Sequence, residues 1–176
     1  MYAKGRFVFY HADRGATLRE NQNIDLDERY LSRFGQIYWD AYGKGVVEEM
    51  NDNEKREYYL EQVRTNQFSH IRSRFQSIFA ANTIEEATIF ATSIIPLPTH
   101  PIPIIEIFAD TFYTHDTNWL DYEPINLESR LAYYRSYWWA EISNHQPKAG
   151  KNRRFPRLEI MIPLPATTGK IVHTVQ

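Results

Sequence analysis

The order of strand-like and helix-like segments is the feature that most restricts how this chain can fold. Five segments rich in β-branched, aliphatic or aromatic residues predict strands, at 6–11, 75–80, 104–108, 157–163 and 170–175. Capped or amphipathic segments predict helices at 27–34, 52–65, 83–91 and 126–141. Strands and helices do not alternate regularly, and neither G-x-G-x-x-G nor G-x-x-x-x-G-K occurs. The order therefore predicts an α+β fold and excludes doubly wound and P-loop folds.

Proline and glycine interrupt these segments at two places. Four prolines between residues 96 and 103 predict an extended stretch, because proline fixes φ and biases the preceding residue away from helix. Gly43 and Gly45 suggest a loop before the helix at 52–65. No Pro/Gly/Ser-rich linker divides the chain, so residues 1–176 are expected to form a single domain around one core.

Composition excludes several classes of protein. Lys and Arg number 20 against 22 Asp and Glu, so the whole molecule has no field that would attract nucleic acid or an anionic membrane. The chain has no cysteine, which excludes disulfides and thiolate metal sites. No segment resembles a signal peptide or a membrane span. These features predict a cytoplasmic protein with no membrane partner.

Local motifs give few signs of familiar chemistry. The six histidines are scattered without H-E-x-x-H spacing, so no metal site is expected, and no G-x-S-x-G elbow is present. The basic stretch from Lys148 to Arg154 is expected to be a solvated loop, with a phosphate-bearing partner such as nucleic acid as the alternative. Five aromatic residues of the last predicted helix are expected in the core: Tyr133, Tyr134, Tyr137, Trp138 and Trp139.

Several segments together resemble the ADP-ribosyltransferase superfamily, in particular the rifampin ADP-ribosyltransferases and the poly-ADP-ribose polymerase group. The first is F-V-F-Y-H, which ends at His11 and precedes the polar turn A-D-R-G. The second is S-I-F-A-A-N-T-I-E-E-A-T-I-F-A, from Ser77 to Ala91. The third is R-L-E-I-M-I-P-L-P-A-T-T-G-K-I-V, from Arg157 to Val172. A further stretch, I-I-E-I-F-A-D-T-F-Y-T-H-D-T-N-W-L from Ile104, resembles the strand and acidic turn of the rifampin enzymes.

The resemblance implies a split pair of mainly antiparallel sheets with NAD bound between them. It also implies a glycosyltransferase-type activity that moves ADP-ribose from NAD to an unknown acceptor, whether protein, nucleic acid or small molecule. In this interpretation His11 hydrogen-bonds the adenine-side ribose of NAD, and the backbone at Ala12 approaches the nicotinamide amide. Phe79 supplies an aromatic face for the nicotinamide ring.

The chemistry also requires charged groups. Cleavage of the bond between nicotinamide and ribose builds positive charge on the sugar, which a carboxylate can stabilise. The polymerase-like comparison puts Glu159 in that position, and the rifampin-like comparison puts Asp116 there. Arg14 or Arg74 is expected to meet the pyrophosphate in a forked hydrogen bond.

Two residues depart from the family pattern. Ala12 stands where the family has glycine, and its methyl group could crowd the approach to nicotinamide. Phe79 stands where the family usually has tyrosine. These departures favour the alternative hypothesis, a catalytically inactive nucleotide- or protein-binding module on the same fold, such as a phage or bacterial interaction factor.

Overall fold

The computed structural model describes residues 6–144 and 156–176. Over these two ranges the chain forms seven strands, β1 Phe7–Ala12, β2 Asn23–Ile24, β3 Ser77–Ala80, β4 Ile102–Ala109, β5 Tyr113–Asp116, β6 Leu158–Pro163 and β7 Ala166–Val175. The five α-helices are α1 Arg33–Lys44, α2 Asp52–Gln67, α3 Ile84–Ser93, α4 Asn118–Asp121 and α5 Leu127–Trp138, and 3-10 helices occupy Val47–Glu49 and Arg74–Gln76. None of the helices in this part of the chain has the length and apolar character needed to span a membrane.

The strands form two antiparallel sheets, which confirms the α+β prediction. The first sheet has the order β1-β4-β7-β2, and the second sheet has the order β3-β6-β5. The sheets meet where Tyr10 of β1 forms an isolated bridge with Ala81, just after β3, through backbone hydrogen bonds of 3.0 and 2.8 Å. Among the described residues this bridge is the only backbone pairing between β1 and β3, so the backbones of the two sheets are joined at one point of their facing edges.

Alternation along β6 assigns its two faces to two different cores. Ile160 and Ile162 pack with Phe9, Ile105 and Ile107 of the first sheet. Because successive side chains on a strand point to opposite faces, the residues between them face the other way. There Met161 packs with residues of α2 and α5, which cover the outer face of the second sheet. Three of the five aromatic residues expected in the core are buried in α5, namely Tyr134, Tyr137 and Trp138, whereas Trp139 is exposed.

The helix predicted at 27–34 is wrong. The Asp27 carboxylate accepts hydrogen bonds from the backbone of Arg29 and Leu31 and holds this segment in a turn. The helix starts only after Ser32, whose side chain caps the N–H of Gly35. It then runs through Gly43, where a loop was expected, and ends at Gly45, which adopts the left-handed φ of 67° that glycine favours.

The other three predicted helices agree with the structure, whereas α4 was not predicted and some strands differ from the predictions. The helices predicted at 52–65, 83–91 and 126–141 are confirmed as α2, α3 and α5, each with a side-chain cap at its N-terminus. Sequence periodicity missed β5, because its four residues Y-T-H-D show no alternation of apolar and polar residues, and the strand is recognised only by its pairing with β6. The strand predicted at 75–80 begins instead at Ser77, after a 3-10 turn.

Candidate functional site

His11 lies on β1 where the two sheets separate. Its Nδ1 atom is 2.6 Å from the carbonyl oxygen of Phe79 on β3. A carbonyl oxygen only accepts, so Nδ1 carries the proton and Nε2 is left as an acceptor. Burial lowers the pKa of His11, and this outweighs the opposing effects of the Phe79 carbonyl and of Asp13. The imidazole is therefore neutral near pH 7 and links the two sheets with its side chain.

The Phe79 ring lies on the helix-facing side of β3. The Phe34 ring of α1 packs against it with centroids 4.8 Å apart. The guanidinium carbon of Arg74 lies 4.4 Å from the centroid of the Phe79 ring, in cation–π range. Phe79 thus connects to His11 through its backbone and to a buried arginine through its ring.

Arg74 belongs to a buried ion cluster, a name used below for Glu57, Arg74, Tyr137 and Glu159. Its Nε donates to Glu57 Oε2 at 2.9 Å, and its Nη1 donates to the Tyr137 hydroxyl oxygen and to Glu159 Oε1. Although burial opposes the charge, Glu159 and Glu57 hold the pKa of Arg74 well above its ordinary value. The guanidinium is therefore permanently charged and held from both sides.

Glu159 is the second residue of β6, and its side chain faces α2 and α5. Its Oε1 accepts hydrogen bonds from Arg74 and from the Tyr137 hydroxyl, the latter at 2.5 Å. Burial raises the pKa of Tyr137 well above its ordinary value, and Glu159 adds to this although Arg74 opposes it. Tyr137 therefore remains a neutral donor to the carboxylate.

His115 joins this region, and no sequence motif singled it out. It pairs with Glu159 across β5 and β6, and its ring stacks on Tyr137 with centroids 4.4 Å apart. Its Nδ1 donates to the Tyr137 carbonyl at 2.8 Å, and burial lowers its pKa. Its Nε2 is buried without a hydrogen-bond partner among the described residues. Glu57 was missed as well, because on α2 it looks like one of many surface charges.

Asp116 does not join the ion cluster. It is fully buried, and its carboxylate accepts backbone hydrogen bonds from Asn118, Ser143 and Arg157 at 3.0, 2.7 and 3.0 Å. These donors come from three separate stretches of chain, so the carboxylate fastens the segments around the start of β6. This is a sufficient structural role for a buried carboxylate.

Arg14 is also engaged away from the ion cluster. Its guanidinium donates to the carbonyl oxygens of Ala91, Ile94 and Pro96 at 2.7 to 2.9 Å, and so binds the C-terminal end of α3. Ala12, the last residue of β1, packs at the edge of a small core formed with α3. The basic stretch from Lys148 to Arg154 lies outside the described residues.

A comparison with known families gives one match. A family model described as "Protein of unknown function (DUF2441)" matches residues 40–150, which is more than half of the chain. The chain belongs to the DUF2441 family. No curated protein sequence matches it.

The DUF2441 match covers only part of the candidate site. Within the matched range lie Glu57, Arg74, Phe79, His115 and Tyr137, which come from α2, the 3-10 turn, β3, β5 and α5. His11 precedes the range and Glu159 follows it. The site therefore combines the matched segment with the first strand and with β6, which the fold brings to its two sides.

Proposed function

We propose that this chain is an NAD-dependent ADP-ribosyltransferase that binds NAD where the two sheets separate. The observation that carries the proposal is the position of Phe79, whose carbonyl oxygen bonds His11 and whose ring contacts the arginine paired with Glu159. His11 and Arg74 thus both contact Phe79, and Glu159 is linked to Phe79 through Arg74.

The arrangement of the sheets adds support. The resemblance implies a split pair of mainly antiparallel sheets, and the chain has two antiparallel sheets that touch through the Tyr10–Ala81 bridge. Beyond the bridge, the Phe79 carbonyl oxygen of β3 accepts its hydrogen bond from the His11 side chain and not from the backbone of β1. The proposal locates the NAD backbone beside His11, just beyond this bridge.

Each residue then has a definite role. The neutral His11 can accept a hydrogen bond from a ribose hydroxyl through Nε2, and the Phe79 ring can stack on nicotinamide. The bond between C1′ of the ribose and the nicotinamide nitrogen breaks, and nicotinamide leaves as a neutral molecule with the bonding electrons. Glu159 stabilises the positive charge that remains on the sugar. The acceptor then forms a bond to C1′ and gives up its proton to Glu159 or to water.

Glu159 is preferred to Asp116 because of their partners. The Asp116 carboxylate is fully buried and satisfied by three backbone N–H groups. Glu159 has side-chain partners, which can exchange for a ligand by rotating, whereas backbone donors in a packed segment cannot. Of the two arginines proposed as pyrophosphate ligands, Arg74 belongs to the ion cluster with Glu159, whereas Arg14 binds α3.

A non-catalytic binding module on the same fold is the second candidate. Two observations favour it. Glu159 already accepts hydrogen bonds from Arg74 and Tyr137, and it faces the helices whereas His11 lies on the side of the first sheet. Ala12 adds a methyl group next to His11, at the position where the ADP-ribosyltransferases that the chain resembles have glycine.

Labelled NAD tests both candidates. We expect the purified chain to release nicotinamide and to transfer adenine-labelled ADP-ribose to a component of a cell extract. His11→Ala and Glu159→Gln should abolish both, whereas His173→Ala and Glu48→Gln, which alter exposed residues, should not. NAD binding without nicotinamide release would support the non-catalytic module. A chain that does not bind NAD, or variants of His11 and Glu159 that retain full turnover, would refute the proposed enzyme.

A further inference from the structure

We infer that Arg74 is an intramolecular occupant of the proposed NAD site, so that the chain must withdraw this side chain before nicotinamide and its ribose can bind. The inference rests on the proposed function and adds a means of regulating it. It follows from the contacts that the guanidinium makes on every side.

Arg74 contacts two of the groups proposed to bind the nicotinamide end of NAD, the Phe79 ring and the Glu159 carboxylate. Its guanidinium carbon lies 4.4 Å from the Phe79 centroid, and 5.2 and 5.4 Å from the centroids of Phe34 and Tyr137. Its nitrogens bond both Glu57 and Glu159. The aromatic face proposed to stack on nicotinamide and the carboxylate proposed to stabilise the sugar are therefore both occupied by one side chain.

The two competitors share the same chemistry. A guanidinium group is planar and positively charged, and so is the nicotinamide ring of oxidised NAD. Aromatic faces and carboxylates attract any planar cation, because the ring quadrupole and the negative charges interact with its positive charge whatever its chemical identity. Arg74 and nicotinamide cannot occupy the Phe79 face together, so binding of one excludes the other.

The ion cluster contains partners that lower the cost of releasing Arg74. Removing one member of a buried ion pair is unfavourable because the other charge stays buried and unpaired. Here Glu57 also accepts a hydrogen bond from Arg56 Nε at 3.1 Å, and Arg56 is partly exposed. Glu159 also accepts one from Tyr137. Each carboxylate thus retains a donor when Arg74 leaves, and the incoming cation replaces the lost charge.

Occupancy by Arg74 sets how tightly NAD can bind. When a protein is able to bind its ligand for only a fraction of the time, its apparent affinity for that ligand is reduced by that fraction. A variant that cannot fill the site should therefore bind NAD more tightly than the natural chain. This direction is opposite to that expected if Arg74 were a ligand of the pyrophosphate.

The double variant Arg74→Met/Glu57→Gln provides the test, because methionine fills part of the space and the second change removes the carboxylate that would be left with excess charge. The double variant Arg64→Met/Glu61→Gln is its matched control, since it removes a largely buried arginine–glutamate pair that lies within α2. Arg74→Lys is a milder third variant that keeps the charge but loses the planar group. Calorimetry with oxidised NAD and nicotinamide release should be measured on the full chain.

We expect the Arg74→Met/Glu57→Gln variant to bind NAD at least about tenfold more tightly than the natural chain, with Arg74→Lys in between and the control unchanged. If the natural chain binds NAD and the Arg74 variants bind it with equal affinity, the role of Arg74 is overturned and the proposed function stays intact. Weaker binding in both Arg74 variants would also overturn it and would identify Arg74 as an NAD ligand. If no variant binds NAD, the proposed function itself fails, and the inference fails with it.

Discussion

The imidazole Nδ1 of His11 lies 2.6 Å from the carbonyl oxygen of Phe79, a residue 68 positions later in the chain. This hydrogen bond ties β1 of the first sheet to β3 of the second sheet at the point where backbone pairing between them has ended. The bond therefore gives His11 a structural role that does not depend on NAD.

Replacing His11 by alanine should lower the free energy of unfolding by about 1–3 kcal/mol, because the partly buried Phe79 carbonyl loses its donor. Urea unfolding measures this change, with His173→Ala as the control at an exposed position on β7. An unfolding midpoint for His11→Ala equal to that of the control would show that the bond contributes nothing to stability.

Acidification should destabilise the chain through His115. Burial lowers its pKa in the folded state below the ordinary value of 6.5, so the unfolded chain binds more protons and stability decreases as the pH falls below 6.5. His115→Phe, which can keep the stacking on Tyr137, should reduce this slope by up to about 1.4 kcal/mol per pH unit. Unfolding free energies measured between pH 7 and pH 5 check this. His11 contributes a slope of the same sign, so a slope should remain, and an unchanged slope would contradict the prediction.

Asp116 should prove to be structural. Asp116→Asn exchanges one carboxylate oxygen for a donor that cannot accept from the backbone, so we expect a loss of about 2–3 kcal/mol of stability. The folded fraction of this variant should retain any NAD turnover, in contrast to Glu159→Gln. Denaturation and nicotinamide release, measured on the same preparation, separate the two effects. Loss of turnover in a stable Asp116→Asn protein would reverse the assignment of the carboxylates.

Two glycines of α1 should respond in opposite ways to alanine. A Cβ at Gly35 would lie 2.1 Å from the carbonyl oxygen of Phe75, so Gly35→Ala should destabilise the chain by about 1–3 kcal/mol. A Cβ at Gly43 would meet nothing within 4 Å, and Gly43→Ala should stabilise by up to about 1 kcal/mol because alanine favours helix. Thermal unfolding of both variants compares them directly. Equal midpoints would refute the close packing of α1 on Phe75.

Local sequence signals were sufficient to predict three of the helices that begin with a side-chain cap. Asn51, Thr83 and Asn126 each precede a segment that can form helix, and each caps the observed helix. They could be recognised because a cap and the turn that it stabilises lie within four residues. The helix α1 was misplaced because Asp27 also offers a side-chain oxygen to nearby N–H groups, whereas the later start is favoured by the Ser32 cap and by packing of Gly35 on Phe75.

The sequence by itself determined the α+β class, three of the helices and most of the strands, and it selected His11, Arg74, Phe79 and Glu159 as candidates. Only the tertiary structure decided their relations, because α2 supplies Glu57, α5 supplies Tyr137 and β6 supplies Glu159 from distant parts of the chain. Whether a charged side chain faces water or a buried partner depends on such long-range packing. No local pattern could have shown that Arg74 covers the ring of Phe79 and pairs with Glu159.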